Sequence, residues 1–578
     1  MKLRKLIIQK FRGIDNLEWE IKSDLVCLVG PGDSTKSTIL LALEYLFSPN
    51  WNLPITDSDF HQMVVQNPII IEAIITELPE SLLSEEKFGL YLGFWNNDGG
   101  SKKNQENDDD HIALKIRLTI DSDLEPVWEV MSFQEDEKEP RRISSTDRQK
   151  LGVAKIGSYV DADLAWGRNS ALSRLTQRDD LTKIPSLLAE AERRVLNSLA
   201  ELDLSLLEMA IGDIVPVAQI MGINAQDAFH AGIDPLRVSL RQGAISLFDG
   251  QLPLSLRGAG SRRLMTMAIH KSGVKEGAVI LVDEIENSLE PYRLRHLIRQ
   301  LRPNDNDNHQ VLFTTHSSVT VVECIASEIF VVNSQNGNTK VIQVSVDLQN
   351  IVRSIPEAFL CRKVIICEGK TESGLLLSLD QNFWQNKHEK ETGQWRYLTM
   401  AEAGVSPIES PKSGGSEAPK FALAMAKLGY EVAYFGDSDR DLNPSADCMK
   451  ENGIDVFLWD GNVEIERRLC FDLPQNELEG LITLAENLND RNKVWADIKK
   501  QFSTHISPEF CSSWEGLISL GDERKLRELL GKAADDGKWF KRRDKGESLG
   551  TFLSGYLDMM GDSPTFRTLV SIEKWCYG

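Results

Sequence analysis

A short apolar run, Leu25–Val29, leads directly into Gly30-Pro31-Gly32-Asp33-Ser34-Thr35-Lys36-Ser37, and a helical pattern follows over residues 37–47. This juxtaposition restricts the chain more than any other. A buried strand that ends in a Gly-rich turn and opens into a helix points the free N–H groups of the loop and of the first helical turn at one place, where they can hold an anion. A lysine at that point reaches phosphate oxygens, and the hydroxyl after it suits Mg²⁺. Gly30, Gly32, Asp33, Ser34, Thr35, Lys36, Ser37 and Thr38 are therefore candidate nucleotide-binding residues, with Ser37 a candidate Mg²⁺ ligand. One position departs from the pattern GxxxxGK[ST]. Thr35 stands where a second glycine belongs, and its β-branched side chain restricts the backbone. Retained ATP binding with slow turnover is the expectation.

Three further stretches extend the reading. Residues 278–282 (AVILV) form an apolar strand ending in Asp283 and Glu284. Phosphoryl transfer of this kind needs one carboxylate in the Mg²⁺ shell and one to orient water, and Asp283 and Glu284 fit those roles. Residues 313–317 (FTTHS) close another apolar run, and His316 is placed to sense a γ-phosphate. Upstream, 256–264 (LRGAGSRRL) puts Gly260 and Ser261 at a helix start, where N–H groups can meet a γ-phosphate held by an opposing subunit. The order of these motifs resembles that of ABC-type ATPases, in particular the SMC-like branch, whose acidic stretch DEIEN continues here through Glu286 and Asn287.

The chain has 578 residues, more than one hydrophobic core usually serves. We read residues 1–183 as the N-terminal part of the ATPase. Residues 184–232 read as a helical insertion, either a packed hairpin or a dimerising arm, since periodicity shows an apolar face but not its partner. Residues 233–355 return to the ATPase, with a boundary near 349–356. Residues 356–475 form a second α/β unit, and 476–578 a helical region. Residues 95–111 are polar and read as a solvated loop, whereas 112–120 alternate like a half-buried strand with 126–133 as its partner. No apolar run approaches the ~18 residues of a membrane span, and the N-terminus lacks a leader's apolar segment. The eight cysteines include no CxxC pair, which argues against zinc or a disulfide framework and for reduced thiols in a cytoplasmic protein. The net charge of −22 runs against nucleic-acid binding. Metal ions held by carboxylates can reverse the local sign, and basic runs at 141–142, at 262–263 and at 538–545 (KWFKRRDK) offer contact surfaces.

A second constellation begins at 364–372 (VIICEGKTE), a strand that ends in Glu368, turns at Gly369 and opens a helix carrying Glu372. Residues 432–439 (VAYFGDSD) end another strand in Asp437 and Asp439, which in an extended segment project to one side. After the strand at 456–459 come Glu464 and Glu466, and much later the basic residues Lys541 and Lys545. Oxygen ligands gathered at one sheet edge suit two hard cations, Mg²⁺ or Mn²⁺, and two such ions suit phosphodiester displacement.

The Glu, the DxD pair and the later acids resemble a Toprim domain. A Toprim domain behind an SMC-like ATPase is similar to the OLD (overcoming lysogenization defect) nuclease family, which includes Gabija-type and retron-associated effectors. The resemblance implies metal-dependent cutting or nicking of DNA, metal binding by Glu368, Glu372, Asp437, Asp439, Glu464 and Glu466, and a catalytic lysine, with Lys545 the nearer match and Lys541 the alternative. It implies dimerisation through the ATPase and a role in anti-phage defence, with a regulatory protein or RNA as a further partner. Two rival readings remain. One is a topoisomerase-like enzyme, which needs a nucleophilic tyrosine in its own module. The other is an ATP-gated sensor or scaffold without catalysis.

Overall fold

The computed structural model describes residues 1–96, 100–102, 110–133, 139–157, 161–166, 170, 172, 184–200, 245–273, 278–304, 309–392, 399–410 and 417–578. Among them the larger of the principal sheets has 14 strands. One end of it is parallel, with Val153–Ile156, Val279–Val282, Gln310–Thr314, Leu25–Val29 and Ile329–Gln335 side by side in that order. Leu25–Val29, Val279–Val282 and Gln310–Thr314 are buried at every position. Strands covered on both faces have no solvent side, so they read as apolar runs rather than as alternations. The antiparallel lobe of Ile14–Glu20, Lys2–Phe11, Ile69–Thr76 and His111–Ile120 continues the sheet. His111–Ile120 does alternate along most of its length, and its partner is Pro126–Met131.

The expectation of a loop over 95–111 needs correction at its described flanks, where Gly93–Asn96 pairs with Gly100–Lys102 and with the strand from His111. Trp95 supplies the reason. It is buried against Ile74 and Ala113, which anchors an otherwise polar stretch to the sheet. Residues 97–99 and 103–109 lie outside the described residues. Of the expected insertion at 184–232, Ile184–Ala200 is a helix, and 201–232 lie outside the described residues. No described helix is long and apolar enough to cross a membrane.

A second sheet has four parallel strands in the order Val405–Glu409, Lys363–Cys367, Glu431–Gly436, Asp455–Leu458. Alternation along a strand sends neighbouring side chains to opposite faces. Val364, Ile366, Val432 and Tyr434 therefore share one core with Phe359 and with Val331 and Val344 of the ATPase side. Ile365, Cys367, Ala433 and Phe435 face the C-terminal helices and pack with Leu375, Trp459, Trp539 and Phe540. The stretch at 349–356 contains the helix Gln349–Ser354, whose Ile351 and Val352 are buried in the first of these cores. The two sheets are thus joined by packing as well as by chain.

Candidate functional site

At the first site, Leu25–Val29 delivers the Gly-rich loop to the helix Lys36–Leu46. Lys36 Nζ lies inside the loop, donating to the carbonyls of Gly30 and Pro31 and to Ser34 Oγ at 3.0, 2.8 and 3.1 Å. Burial pushes its ammonium down to about 8, against the opposite pull of Asp283, Asp33 and Glu286. A polyphosphate would act in the same direction as those carboxylates. Gly32, Asp33 and Ser37 are exposed and Thr38 is half-buried on the helix. Thr35 takes φ 68° and ψ 14°, the left-handed region that a β-branched residue enters only under strain. Its hydroxyl donates to the Ser34 carbonyl at 2.6 Å and lies 3.4 Å from Thr339 Oγ1.

Ser37 Oγ donates to Asp283 Oδ1 at 2.9 Å, joining two candidate Mg²⁺ ligands 246 residues apart. The same oxygen accepts from Thr314 Oγ1 at 2.6 Å, and Thr314 Oγ1 accepts the Glu284 N–H at 2.8 Å. Glu284 has φ 48°, so the chain turns sharply as it leaves the acidic strand. Arg263 holds that turn by donating to the carbonyls of Asp283 and Glu284, each at 2.8 Å. Arg263 is buried in doing so, which corrects its assignment to a surface basic run. Glu286 accepts from the His316 N–H at 2.6 Å and from Thr315 Oγ1 at 2.7 Å, fixing the turn from which the exposed His316 projects. Gly260 and Ser261 open the helix Ala259–Gly273, where Ser261 Oγ accepts from Arg293 at 3.4 Å. Thr314 and Arg263 lie inside the stretches 313–317 and 256–264, but only their flanking of the acidic strand in space reveals what they do.

The second site forms at the ends of Lys363–Cys367 and Glu431–Gly436. Glu368 Oε2 accepts the Asp437 N–H at 2.9 Å and the Tyr434 hydroxyl at 3.3 Å. Asp437 Oδ1 accepts the Ile465 N–H at 3.0 Å, at the first turn of the helix Ile465–Asp472. Glu372, on the helix Lys370–Leu379, and Glu466, on Ile465–Asp472, are both buried. Burial, with Glu372 adding to it, pushes Asp437 up to about 9, while Lys541 pulls the other way. Burial likewise pushes Glu372 up to about 7 and raises Glu466. Such raised carboxyls mark negative charge crowded out of water, which a cation relieves.

The two other acids each pair with an arginine close in sequence. The chain bends at 438–440 instead of running on extended, and Asp439 Oδ2 pairs with Arg440 at 3.1 Å. Glu464 precedes the helix and pairs with Arg467 at 3.5 Å. The bend corrects the premise that Asp437 and Asp439 lie in one extended segment.

The two lysines exchange places relative to the sequence reading. Lys545 Nζ donates to Asn489 Oδ1 at 2.6 Å, away from the carboxylates. Lys541 Nζ lies 3.3 Å from Glu466, 3.7 Å from Asp535 and 3.9 Å from Asp437. Burial works against its charge, but Glu466, Asp437, Glu372 and Asp535 outweigh burial and hold the ammonium above its ordinary range. Its position follows from helix packing. Lys370–Leu379 and Arg543–Ser554 meet through glycines: a Cβ on Gly374 would stand 2.3 Å from the Arg543 carbonyl oxygen, and one on Gly546 would stand 2.5 Å from that of Thr371. Thr371 Oγ1 also donates to the Phe540 carbonyl at 2.9 Å, next to Lys541.

Among the described residues no three of His, Cys, Asp and Glu stand in metal-holding geometry. The donor chemistry nonetheless fits a hard cation. It consists of carboxylate oxygens, Glu466 is buried among them, and the cation now beside it is the Lys541 ammonium. Sequence reasoning missed Tyr434, Asp535 and Glu409. Glu409 ends the strand beside Cys367 and lies 3.8 Å from Arg543, and an acid closing a short strand was its available signal.

Comparison with known proteins agrees with the first site. Residues 1–151 match the family model described as "AAA ATPase domain", and residues 96–323 match "AAA domain, putative AbiEii toxin, Type IV TA system". The Old nuclease of Escherichia phage P2 is 21% identical over 436 residues, covering 67% of this chain and 71% of that protein. Among solved structures, an SMC head bound to the C-terminal winged-helix domain of ScpA overlaps at a TM-score of 0.34 and 12% identity, over 60% of this chain and 99% of that one. The SMC head domain from Thermotoga maritima gives 0.28 and 14%, over 60% and 100%. Overlaps this low carry no weight in the assignment. The sequence matches and the Lys36–Ser37–Asp283 geometry agree on an ATPase site, in a chain similar to the Old nuclease of Escherichia phage P2.

Proposed function

We propose that the chain is an ATP-regulated, divalent-metal-dependent DNA endonuclease that cuts at the carboxylate cluster of a Toprim domain and serves anti-phage defence. The observation that carries this reading is the gathering of Glu372, Asp437 and Glu466 around the Lys541 ammonium, with Glu368 accepting the Asp437 N–H beside them. The phage relative's name, Old nuclease, is consistent with it. In this reading residues 356–475 form the Toprim core and 476–578 complete it with Lys541. DNA is the substrate, and homodimerisation occurs through the ATPase.

Glu368, Asp437 and Glu466 would hold Mg²⁺ or Mn²⁺, with Glu372 beside them, and bound ions would supply Lewis-acid charge to a phosphodiester and its leaving oxygen. The chain's own groups prepare that place. Tyr434 and the Asp437 N–H orient Glu368, and the Ile465 N–H orients Asp437. Lys541 keeps its proton and offers positive charge where negative charge develops on phosphate. The Lys36–Ser37–Asp283 site would bind ATP with Mg²⁺, and Thr35 would make it a slow gate.

The test is incubation of supercoiled plasmid with the purified protein, ATP and Mg²⁺ or Mn²⁺. Linear or nicked product should appear, and should vanish in Glu368→Ala and Asp437→Ala while ATP binding persists. Cleavage that survives both substitutions overturns the site. Relaxed, covalently closed product would favour strand passage instead.

A further inference from the structure

We infer that Asn333 is the positioning residue through which nucleotide state at the Gly-rich loop reaches the strand that carries Asp437. The strand Ile329–Gln335 lies beside Leu25–Val29 in parallel register, with Val331 opposite Val29. The loop after Val29 rests on that strand. Gly30 has φ 137°, and a Cβ there would stand 2.5 Å from the Val332 carbonyl oxygen, so the loop backbone packs directly on the strand. Thr35 adds a second tie one turn later: its hydroxyl lies 3.4 Å from Thr339 Oγ1, which donates to Ser334 Oγ at 3.0 Å. Val332 and Ser334 flank Asn333, so both ties bracket it.

Asn333 points away from the loop. Its Nδ2 donates to the carbonyl of Gly429, which caps the helix Ala418–Lys427. The cap is a Schellman motif, with the Tyr430 N–H donating to Met425 at 3.3 Å and the Gly429 N–H to Ala426 at 2.9 Å. Gly429 has φ 89°, and a Cβ there would stand 2.8 Å from Asn333 Nδ2. Glu431–Gly436 starts at once after this cap and ends at Asp437. Tyr430, Val432 and Tyr434 share their core with Val331, so a shift of Ile329–Gln335 meets packed side chains rather than slack. Asn333 is the polar link between these two elements, and it contacts neither candidate site.

The regulatory meaning of the link rests on the proposed nuclease reading, but its physical content does not, and the experiment separates them. Hydrogen exchange over 429–437 is compared with and without a non-hydrolysable ATP analogue and Mg²⁺, in wild type, in Asn333→Ala and in Asn333→Asp, which keeps the shape but loses the donor. Wild type should change its exchange on nucleotide binding. Both variants should lose that change while nucleotide affinity and melting temperature stay those of wild type. In plasmid cleavage, the nucleotide effect should be at least about fivefold in wild type and close to none in the variants. The inference is overturned if exchange at 429–437 ignores nucleotide in wild type, or if both variants respond as wild type does. Absence of cleavage with the exchange response intact overturns the nuclease reading alone.

Discussion

Replacing Gly546 by Ala puts a methyl group where the helices Lys370–Leu379 and Arg543–Ser554 touch. The new Cβ would stand 2.5 Å from the Thr371 carbonyl oxygen and 3.0 Å from its Cα, both backbone atoms that cannot swing aside. Ordinary contact needs about 1 Å more separation. Overpacking of this kind costs about 1–3 kcal/mol. Loss of the Thr371 bond to the Phe540 carbonyl adds about 0.5–1.5 kcal/mol, and the better helix propensity of Ala returns about 1 kcal/mol. The net is a destabilisation of about 0.5–3.5 kcal/mol, close to the ordinary range for single substitutions. The larger effect is on geometry, because Phe540 precedes Lys541 and the ammonium would leave Glu466. A displacement of about 1 Å in such a group lowers rate about 100-fold. The assay is plasmid cleavage beside nucleotide binding and thermal melting, with cleavage falling while nucleotide affinity holds. Cleavage within about threefold of wild type, with melting unchanged or raised, would show that the close helix contact does not position Lys541.

Further outcomes follow from individual residues. Lys541→Met should lower cleavage by about 100-fold or more with ATP binding intact, and Lys545→Met by less than about tenfold; kinetics of both variants decide it, and the reverse order would restore Lys545 as the catalytic candidate. Thr35→Gly removes left-handed strain of about 1–2 kcal/mol and should speed phosphate release from ATP; an unchanged rate would show that the loop does not limit turnover. Glu528 is held by Lys532 and Lys525, which push its carboxyl down to about 2. Its folded value lies below the unfolded one, so the stability it gives is complete above about 4.5 and lost as pH falls toward 2. The pair is half-exposed, and Glu528→Gln should cost less than about 1 kcal/mol at neutral pH and nothing at the acid end, as read by urea unfolding.

Local chemistry made much of this legible from sequence. The Gly-rich loop, the strand into Asp283, the Glu368 turn and the strand into Asp437 each declare themselves within a dozen residues, because strand burial and helix starts are local requirements. Lys541 lies just before the helix Arg543–Ser554 and Lys545 in its first turn, so four residues of sequence do not tell which ammonium enters the cluster, and the glycine contacts at 374 and 546 show how that helix is seated. Asp439 reads as equivalent to Asp437 in sequence, which does not disclose the bend at 438–440 or the pairing of Asp439 with Arg440. The hairpin at Gly93–Asn96 was hidden because one residue, Trp95, outweighs a polar neighbourhood. Asn333 had no signal at all, since its partner Gly429 is brought to it only by the packing of two sheets.

The most direct test is diffraction from crystals soaked in Mn²⁺ and recorded at the manganese edge. If the carboxylates cage divalent ions, anomalous peaks appear among Glu368, Asp437 and Glu466, with the Lys541 ammonium displaced from Glu466. Peaks confined to exposed acids elsewhere, with Lys541 still paired to Glu466 at saturating Mn²⁺, would contradict it.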